Sequence, residues 1–197
     1  MGHFELDEQG SWLVEAERRS SPFCNPRPCA MIIDLIVVHG ISLPPEIFGG
    51  NAIDALFTGG LDCSADPYFS RLVGLKVSTH LFIRRDGHIL QYVPFHLRAW
   101  HAGASCFNGR TACNDFSIGI ELEGADHIPY TRHQYETLSL ACQALMNHYP
   151  AIHPGNIVGH NQISPGRKTD PGPAFDWSFF TRILKHHEIG ISAPSPD

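Results

Sequence analysis

His160, Lys168 and Asp170 fall within eleven residues of one another, in the stretch Gly159-His160-Asn161-Gln162-Ile163-Ser164-Pro165-Gly166-Arg167-Lys168-Thr169-Asp170-Pro171-Gly172-Pro173. Most of the other residues there are turn formers. Proline removes a backbone donor and glycine adds backbone freedom, so the stretch cannot run as a helix or a central strand. A loop shaped around an imidazole, an ammonium and a carboxylate reads as a site, because loops carry chemistry on rigid scaffolds. His160 and Asp170 are candidate zinc ligands, and Lys168 between them would turn its charge toward a substrate. A catalytic zinc keeps three protein ligands and one open position, so a third ligand has to come from elsewhere in the chain.

His39 is the candidate for it. Ile32 to Val38 is a β-branched, nearly continuous apolar run, which predicts a strand buried on both faces. His39 follows at its carboxyl end, where open α/β sheets gather their ligand sites. Taken by spacing alone, His39 is equally a hydrogen-bonded histidine at a strand end, and Asp170 a turn residue before Pro171. His80 and His101 are rivals for the ligand role. His80 lies in a predicted strand and suits hydrogen bonding near the site, while His101, next to Trp100, suits the lining of a cleft. Neither is assigned as a ligand. Trp100 offers a flat apolar surface for a sugar ring or a peptide stem, or else packs as an anchor.

Ser117-Ile118-Gly119-Ile120-Glu121-Leu122-Glu123 alternates cleanly. Ile118, Ile120 and Leu122 share one face of a strand, and Gly119, Glu121 and Glu123 the other. Gly119 has no side chain, which predicts open space beside the Glu121 carboxylate, as a substrate cleft needs. Glu123 competes with Glu121 but sits at the strand end before Gly124, where supporting a loop is the better use.

These residues need a scaffold. Residues 1–30 read as an extended lead-in packed on the domain with Trp12 as its anchor, 31–187 as the folded domain, and 188–197 as a flexible tail. Gly40 to Pro67 reads as a long functional loop, with a short helix or turn at Pro67 to Val73. Val77 to Val93 is a hairpin turning at Asp86-Gly87, and Arg98 to Gly103 is too short and mixed for regular structure. Thr131-x-x-Gln134 is a capping box. Tyr135, Leu138, Cys142, Leu145 and Tyr149 then follow helical spacing until Pro150. Asn156 to His160 is a short strand, and Asp176 caps a last helix carrying Phe180, Ile183, Leu184 and His187. The order predicts an α/β fold, a single domain whose central mixed β-sheet is flanked by helices.

Composition sets the class. Of 197 residues, 43% are hydrophobic and 17% charged, as expected of one globular domain. The formal charge of −6 argues against nucleic acid as the main partner, and no stretch approaches the ~20 apolar residues of a membrane span. Met1 to Arg19 has no apolar run flanked by positive charge, which predicts a cytoplasmic protein. The six cysteines are then free thiols. Thirteen histidines is a high count and a weak pointer to metal chemistry.

Val37-Val38-His39, Ala99-Trp100-His101-Ala102-Gly103, Ile118 to Gly124, and Gly159-His160 through Asp170-Pro171-Gly172-Pro173 resemble the N-acetylmuramoyl-L-alanine amidases that share a fold with phage T7 lysozyme and peptidoglycan recognition proteins. Ile41 to Pro45, Asp54 to Gly59 and Cys113 to Ser117 look like the subgroup acting on 1,6-anhydro-muropeptides in cell-wall recycling. The resemblance runs from about Trp12 to Leu184. It implies zinc at His39, His160 and Asp170, Glu121 as general base, and Lys168 as the cation of the transition state. It also implies a monomeric cytoplasmic enzyme with a small-molecule substrate. Gly40 stands where the subgroup often has Asn, and Ala112 where relatives can carry Arg, so both touch substrate binding. Two other functions remain to be compared: an amidase acting on intact cell wall outside the cytoplasm, and a recognition module without activity.

Overall fold

The computed structural model describes residues 2–188. In chain order the strands are β1 (Glu17–Arg18), β2 (Cys24–Pro26), β3 (Leu35–Ile41), β4 (Leu81–Ile83), β5 (Ile89–Gln91), β6 (Leu97–Ala99), β7 (Cys106–Phe107), β8 (Arg110–Thr111), β9 (Ser117–Glu123) and β10 (Ile157–Gly159). The helices are α1 (Ala52–Thr58), α2 (Arg132–His148), α3 (His160–Ile163) and α4 (Trp177–Glu188). Six strands form one mixed sheet in the order β1-β5-β4-β9-β3-β10. Only β4 and β5 pair antiparallel in it, as the Asp86-Gly87 hairpin predicts.

Alternation along β3 and β9 sorts side chains between two layers. Ile36, Val38, Ile118, Ile120 and Leu122 pack with Leu138, Cys142 and Leu145 of α2 and with Phe180 and Leu184 of α4. Those helices close one face. Leu35, Val37 and His39 of β3, with Gly119 and Glu121 of β9, point to the other face, which loops and α1 cover. At about 25 cal/mol per Å² of apolar surface, burying each large aliphatic side chain of the helix-covered layer contributes roughly 1.5–3 kcal/mol. That layer makes a rigid base beneath the second face. None of the described helices is long and apolar enough to cross a membrane.

The capping box forms as read: Thr131 Oγ1 accepts from the Gln134 N–H and the Gln134 side chain accepts from the Thr131 N–H. Asp176 Oδ1 likewise accepts from the Phe179 N–H at the start of α4. The side chain of His187 and the tail from Ile189 lie outside the described residues.

Several expectations change. β3 does not stop at Val38 but continues through His39 to Ile41. Its pairing with β9 runs as far as Ile41↔Glu123, and backbone bonds hold the extra residues extended. Gly40 to Pro67 is not all loop. Ile53, Leu56 and Phe57 form the buried stripe of α1, which Gly59 ends in a left-handed conformation at φ 81°. Of Arg98 to Gly103, the first two residues belong to a strand, because Leu97–Ala99 pairs antiparallel with Cys24–Pro26, while Trp100 to Gly103 has no regular structure, as expected. Within the organising loop, His160–Ile163 makes one helical turn, since its prolines begin only at Pro165. In the N-terminal segment Leu13 is fully buried, whereas Trp12 is partly exposed under the Arg18 guanidinium.

Candidate active site

The site is a row across three strands at one level of the sheet. His39 is in register with Glu121 of β9. Gly159, the last residue of β10, is in register with Val38, which delivers His160 beside His39. Asp170 reaches the same point from the loop. Its carbonyl accepts from the Asn161 N–H at 2.9 Å, and Tyr130 Oη donates to the next carbonyl, that of Pro171, at 2.9 Å. Gly40 lets this happen. A Cβ on it would stand 2.2 Å from Tyr130 Oη, so this chain has a tyrosine hydroxyl where an asparagine side chain at position 40 would lie.

Three atoms converge. His39 Nδ1 lies 2.9 Å from His160 Nδ1 and 3.1 Å from Asp170 Oδ2, and His160 Nδ1 lies 3.0 Å from the same carboxylate oxygen. Ligands about 2.0–2.1 Å from a tetrahedral zinc stand roughly 3.3 Å apart, so the triangle is close to that size. Its chemistry fits a cation as well. His160 Nε2 faces the Ala102 carbonyl at 3.1 Å. A carbonyl only accepts, so that nitrogen carries the hydrogen and Nδ1 presents a lone pair. Arg167 Nη2 is 3.3 Å from His160 Nε2, and its two hydrogens have three nearer acceptors to share between, the Ala102 and Ala104 carbonyls and Ser164 Oγ. A lone pair packed this tightly against a carboxylate and a second imidazole needs a positive charge among them. Among the described residues, His39, His160 and Asp170 are the one group of this kind that could hold a metal ion.

The environment sets the charges. Burial pushes the His39 imidazole down to about 4, against the pull of Asp170, so it is neutral and able to ligate. Burial also opposes ionisation of Asp170, but the facing imidazoles of His160 and His39 outweigh it and hold the carboxyl below the usual carboxylate range. Glu121 moves the other way. Burial raises its carboxyl well above the ordinary value, Asp170 adds to the rise, and the Lys168 charge opposes it. Glu121 Oε1 is 3.9 Å from His39 Nδ1, and Oε2 is buried with no hydrogen-bond partner among the described residues. An unpartnered buried carboxylate oxygen is costly unless the site uses it.

A cleft of about 250 Å³ opens over this row. Its polar floor is His39, Glu121, His160 and Asp170, with Lys168 on the wall. Its apolar side includes Leu43, Phe57, Tyr68, Leu72 and Trp100. Trp100 both lines the cleft and is locked in place, because Nε1 donates to Asn25 Oδ1 at 2.6 Å and the ring stacks on Phe23.

The space over Gly119 is not a substrate gap. The His101 ring fills it, and a Cβ on Gly119 would come within 2.5 Å of that ring. His80 lies outside the triangle, with Nδ1 accepting from the Gly119 N–H and Nε2 donating to the Leu97 carbonyl. Glu123 supports a loop, as read: its carboxylate accepts from the N–H groups of Gly49 and Arg85. Four arginines of the domain are bonded to protein groups. Arg98 holds Asp115, Arg110 holds Asp34, Arg84 bonds the Gly50 carbonyl and Arg85 that of Pro129. Tyr130, Ser117, Asn114 and Arg167 all support the site, and none has a local signature that announces it. Asn114 Oδ1, for example, accepts from the N–H groups of His101 and Ala102 and so shapes their turn.

The whole arrangement has known counterparts. The family profile for N-acetylmuramoyl-L-alanine amidase matches residues 29–173. The 1,6-anhydro-N-acetylmuramyl-L-alanine amidase AmpD of Citrobacter freundii is 56% identical over 179 residues, spanning 91% of this chain and 94% of that protein. A crystal structure of a selenomethionine derivative of AmpD superimposes with a TM-score of 0.87 at 56% identity, over 91% of this chain and 98% of that one. The N-acetylmuramyl-L-alanine amidase AmiD from E. coli, in complex with the substrate anhydro-N-acetylmuramic acid-L-Ala-D-gamma-Glu-L-Lys, superimposes with a TM-score of 0.56 at 27% identity, over 95% of this chain and 66% of that one. The chain therefore belongs to the N-acetylmuramoyl-L-alanine amidase family.

Proposed function

We propose that the chain is a zinc-dependent amidase that hydrolyses the amide between 1,6-anhydro-N-acetylmuramic acid and L-alanine in soluble muropeptides, and that it serves peptidoglycan recycling in the cytoplasm. The observation that carries this reading is the convergence of two imidazoles and a carboxylate beside a buried glutamate oxygen with no hydrogen-bond partner among the described residues. The 56% identity to a protein named for that reaction supports the substrate, as does the anhydro-muropeptide held by E. coli AmiD.

His39, His160 and Asp170 would hold the metal. Two neutral ligands and one anion leave a net positive centre, and three protein ligands leave one position for water or substrate. When bound, zinc supplies Lewis acidity that acidifies water and polarises a carbonyl. Glu121 takes a proton from the attacking water on its free carboxylate oxygen and returns it to the leaving nitrogen of L-alanine. Burial raises its pKa above the ordinary carboxylate value, the direction that helps it hold the proton between the two steps. Lys168 places its ammonium at the cleft wall, where it stabilises the negative charge that develops on the carbonyl oxygen. Leu43, Phe57, Tyr68 and Trp100 give the sugar an apolar surface and exclude water from one side of the reaction.

Mass spectrometry of a defined anhydro-muropeptide after incubation tests this. The expected products are the anhydro sugar and the intact stem peptide, abolished by chelator and far more abundant than release from whole sacculi. Preferential release from sacculi would support the extracellular wall amidase instead, and binding without turnover the recognition module.

A further inference from the structure

A metal-binding imidazole usually donates its outer N–H to a carboxylate, a backbone carbonyl or water. His160 does so, to Ala102. His39 does not. Its Nε2 faces another imidazole, with His101 Nδ1 2.9 Å away. Between neutral imidazoles such a contact requires a hydrogen on one nitrogen and a lone pair on the other. Which nitrogen has the hydrogen is settled one residue further out. His101 Nε2 lies 3.2 Å from Ser117 Oγ, and that hydroxyl lies 2.6 Å from the Cys113 carbonyl oxygen. The carbonyl only accepts, so Ser117 spends its single hydrogen there and must accept from His101. His101 then carries its hydrogen on Nε2 and a lone pair on Nδ1. His39 donates to that lone pair through Nε2, which leaves its own lone pair on Nδ1, at the corner of the triangle with His160 and Asp170.

The geometry points to Ser117 and His101 as positioning residues for the metal, a hydrogen-bond relay that sets the tautomer and the ring direction of His39. The relay rests on the proposed role of His39 as a zinc ligand. His101 is well held for it. Its ring lies over Gly119, where any side chain would collide. It meets His39 edge to face, with centroids 5.0 Å apart and planes at 89°. Its backbone N–H donates to Asn114 Oδ1. His80 cannot replace it, because both His80 ring nitrogens are already bonded, to Gly119 and Leu97. The open face of β9 at Gly119 thus accommodates a second imidazole behind the first.

The test has two readouts, neither of them turnover. The first is a long-range proton–nitrogen spectrum of the unmodified, zinc-loaded chain with labelled histidines. It is expected to show His101 protonated at Nε2 and bare at Nδ1, and the reverse pattern overturns the relay. The second is zinc affinity by competition with a chelating dye. H101F fills the space over Gly119 but offers no acceptor, and it is expected to bind zinc about 10- to 100-fold more weakly. S117A is expected to weaken binding several-fold alone and to add nothing in the H101F background, since Ser117 acts only through His101. Unchanged affinity in H101F, or additive losses in the double variant, overturns the relay while the zinc site stands. A wild-type chain that binds no zinc overturns the metal reading and the relay with it. If H101F does not fold, the spectrum of the unmodified chain still decides.

Discussion

His39 and Glu121 stand opposite one another on adjacent parallel strands, with His39 Nδ1 3.9 Å from Glu121 Oε1. One residue faces the proposed metal and the other faces the proposed water, so a single register fixes their spacing. A one-residue slip of β3 against β9 would turn His39 into the opposite layer and leave Glu121 facing the cleft.

Glu121→Gln keeps the shape and removes the base. The expected loss in kcat is about 10²- to 10⁴-fold, with zinc content unchanged. Glu123→Gln is expected to keep most activity and to lower stability, because Glu123 holds the Gly49 and Arg85 N–H groups. Steady-state rates with metal analysis compare the two. A dead E123Q beside an active E121Q would reverse the assignment.

The same substitution has a pH signature in the metal-free protein. Burial raises the Glu121 carboxyl well above its ordinary 4.5. Between its unfolded and folded values the native chain therefore binds the extra proton, and its contribution to stability falls as pH rises. Glutamine does not titrate. The urea midpoint of E121Q is expected to match wild type below about pH 4.5 and to exceed it by a growing margin above. A constant margin across that range would show that the Glu121 carboxyl is not strained by burial.

Lys168→Met should leave fold and metal intact, because the side chain is exposed. Its loss is expected to lower kcat by about 10²- to 10³-fold, the effect of removing one donor from a developing oxyanion. A fall in zinc affinity instead would assign Lys168 to the ligand loop and not to the reaction.

Gly40→Ala is expected to destabilise the protein by about 1–3 kcal/mol, because the new methyl would overlap Tyr130 Oη. Tyr130→Phe removes that oxygen and leaves the Pro171 carbonyl unbonded, at a cost of about 1–3 kcal/mol. The double variant is expected to cost less than the sum, since the next atom, Tyr130 Cζ, is 3.5 Å from the added carbon. Denaturant midpoints of the four proteins form the cycle, and simple additivity would separate the two residues.

Much of this site could be read from residue order. The alternation of Ser117 to Glu123 placed Glu121 on its face, and the dense Gly159 to Pro173 loop announced two of the three converging side chains. What could not be read was set by partners distant in the chain. β3 runs past Val38 because β9 bonds its backbone through Ile41↔Glu123. The strand at Arg98 exists because Cys24–Pro26 lies beside it. The space over Gly119 looked open because local sequence shows the missing side chain and not His101, which arrives from another turn. Tyr130 over Gly40 is the same case: a glycine reports that something comes close, not what comes.

The most direct test of the metal site is reconstitution. The chain is stripped with chelator, titrated with zinc and followed by amidase turnover and metal content, with Asp170→Ala in parallel. The expected result is no turnover without metal, full recovery at one zinc per chain, and neither binding nor recovery in Asp170→Ala. Undiminished turnover by the stripped protein, or full zinc binding by Asp170→Ala, would contradict it.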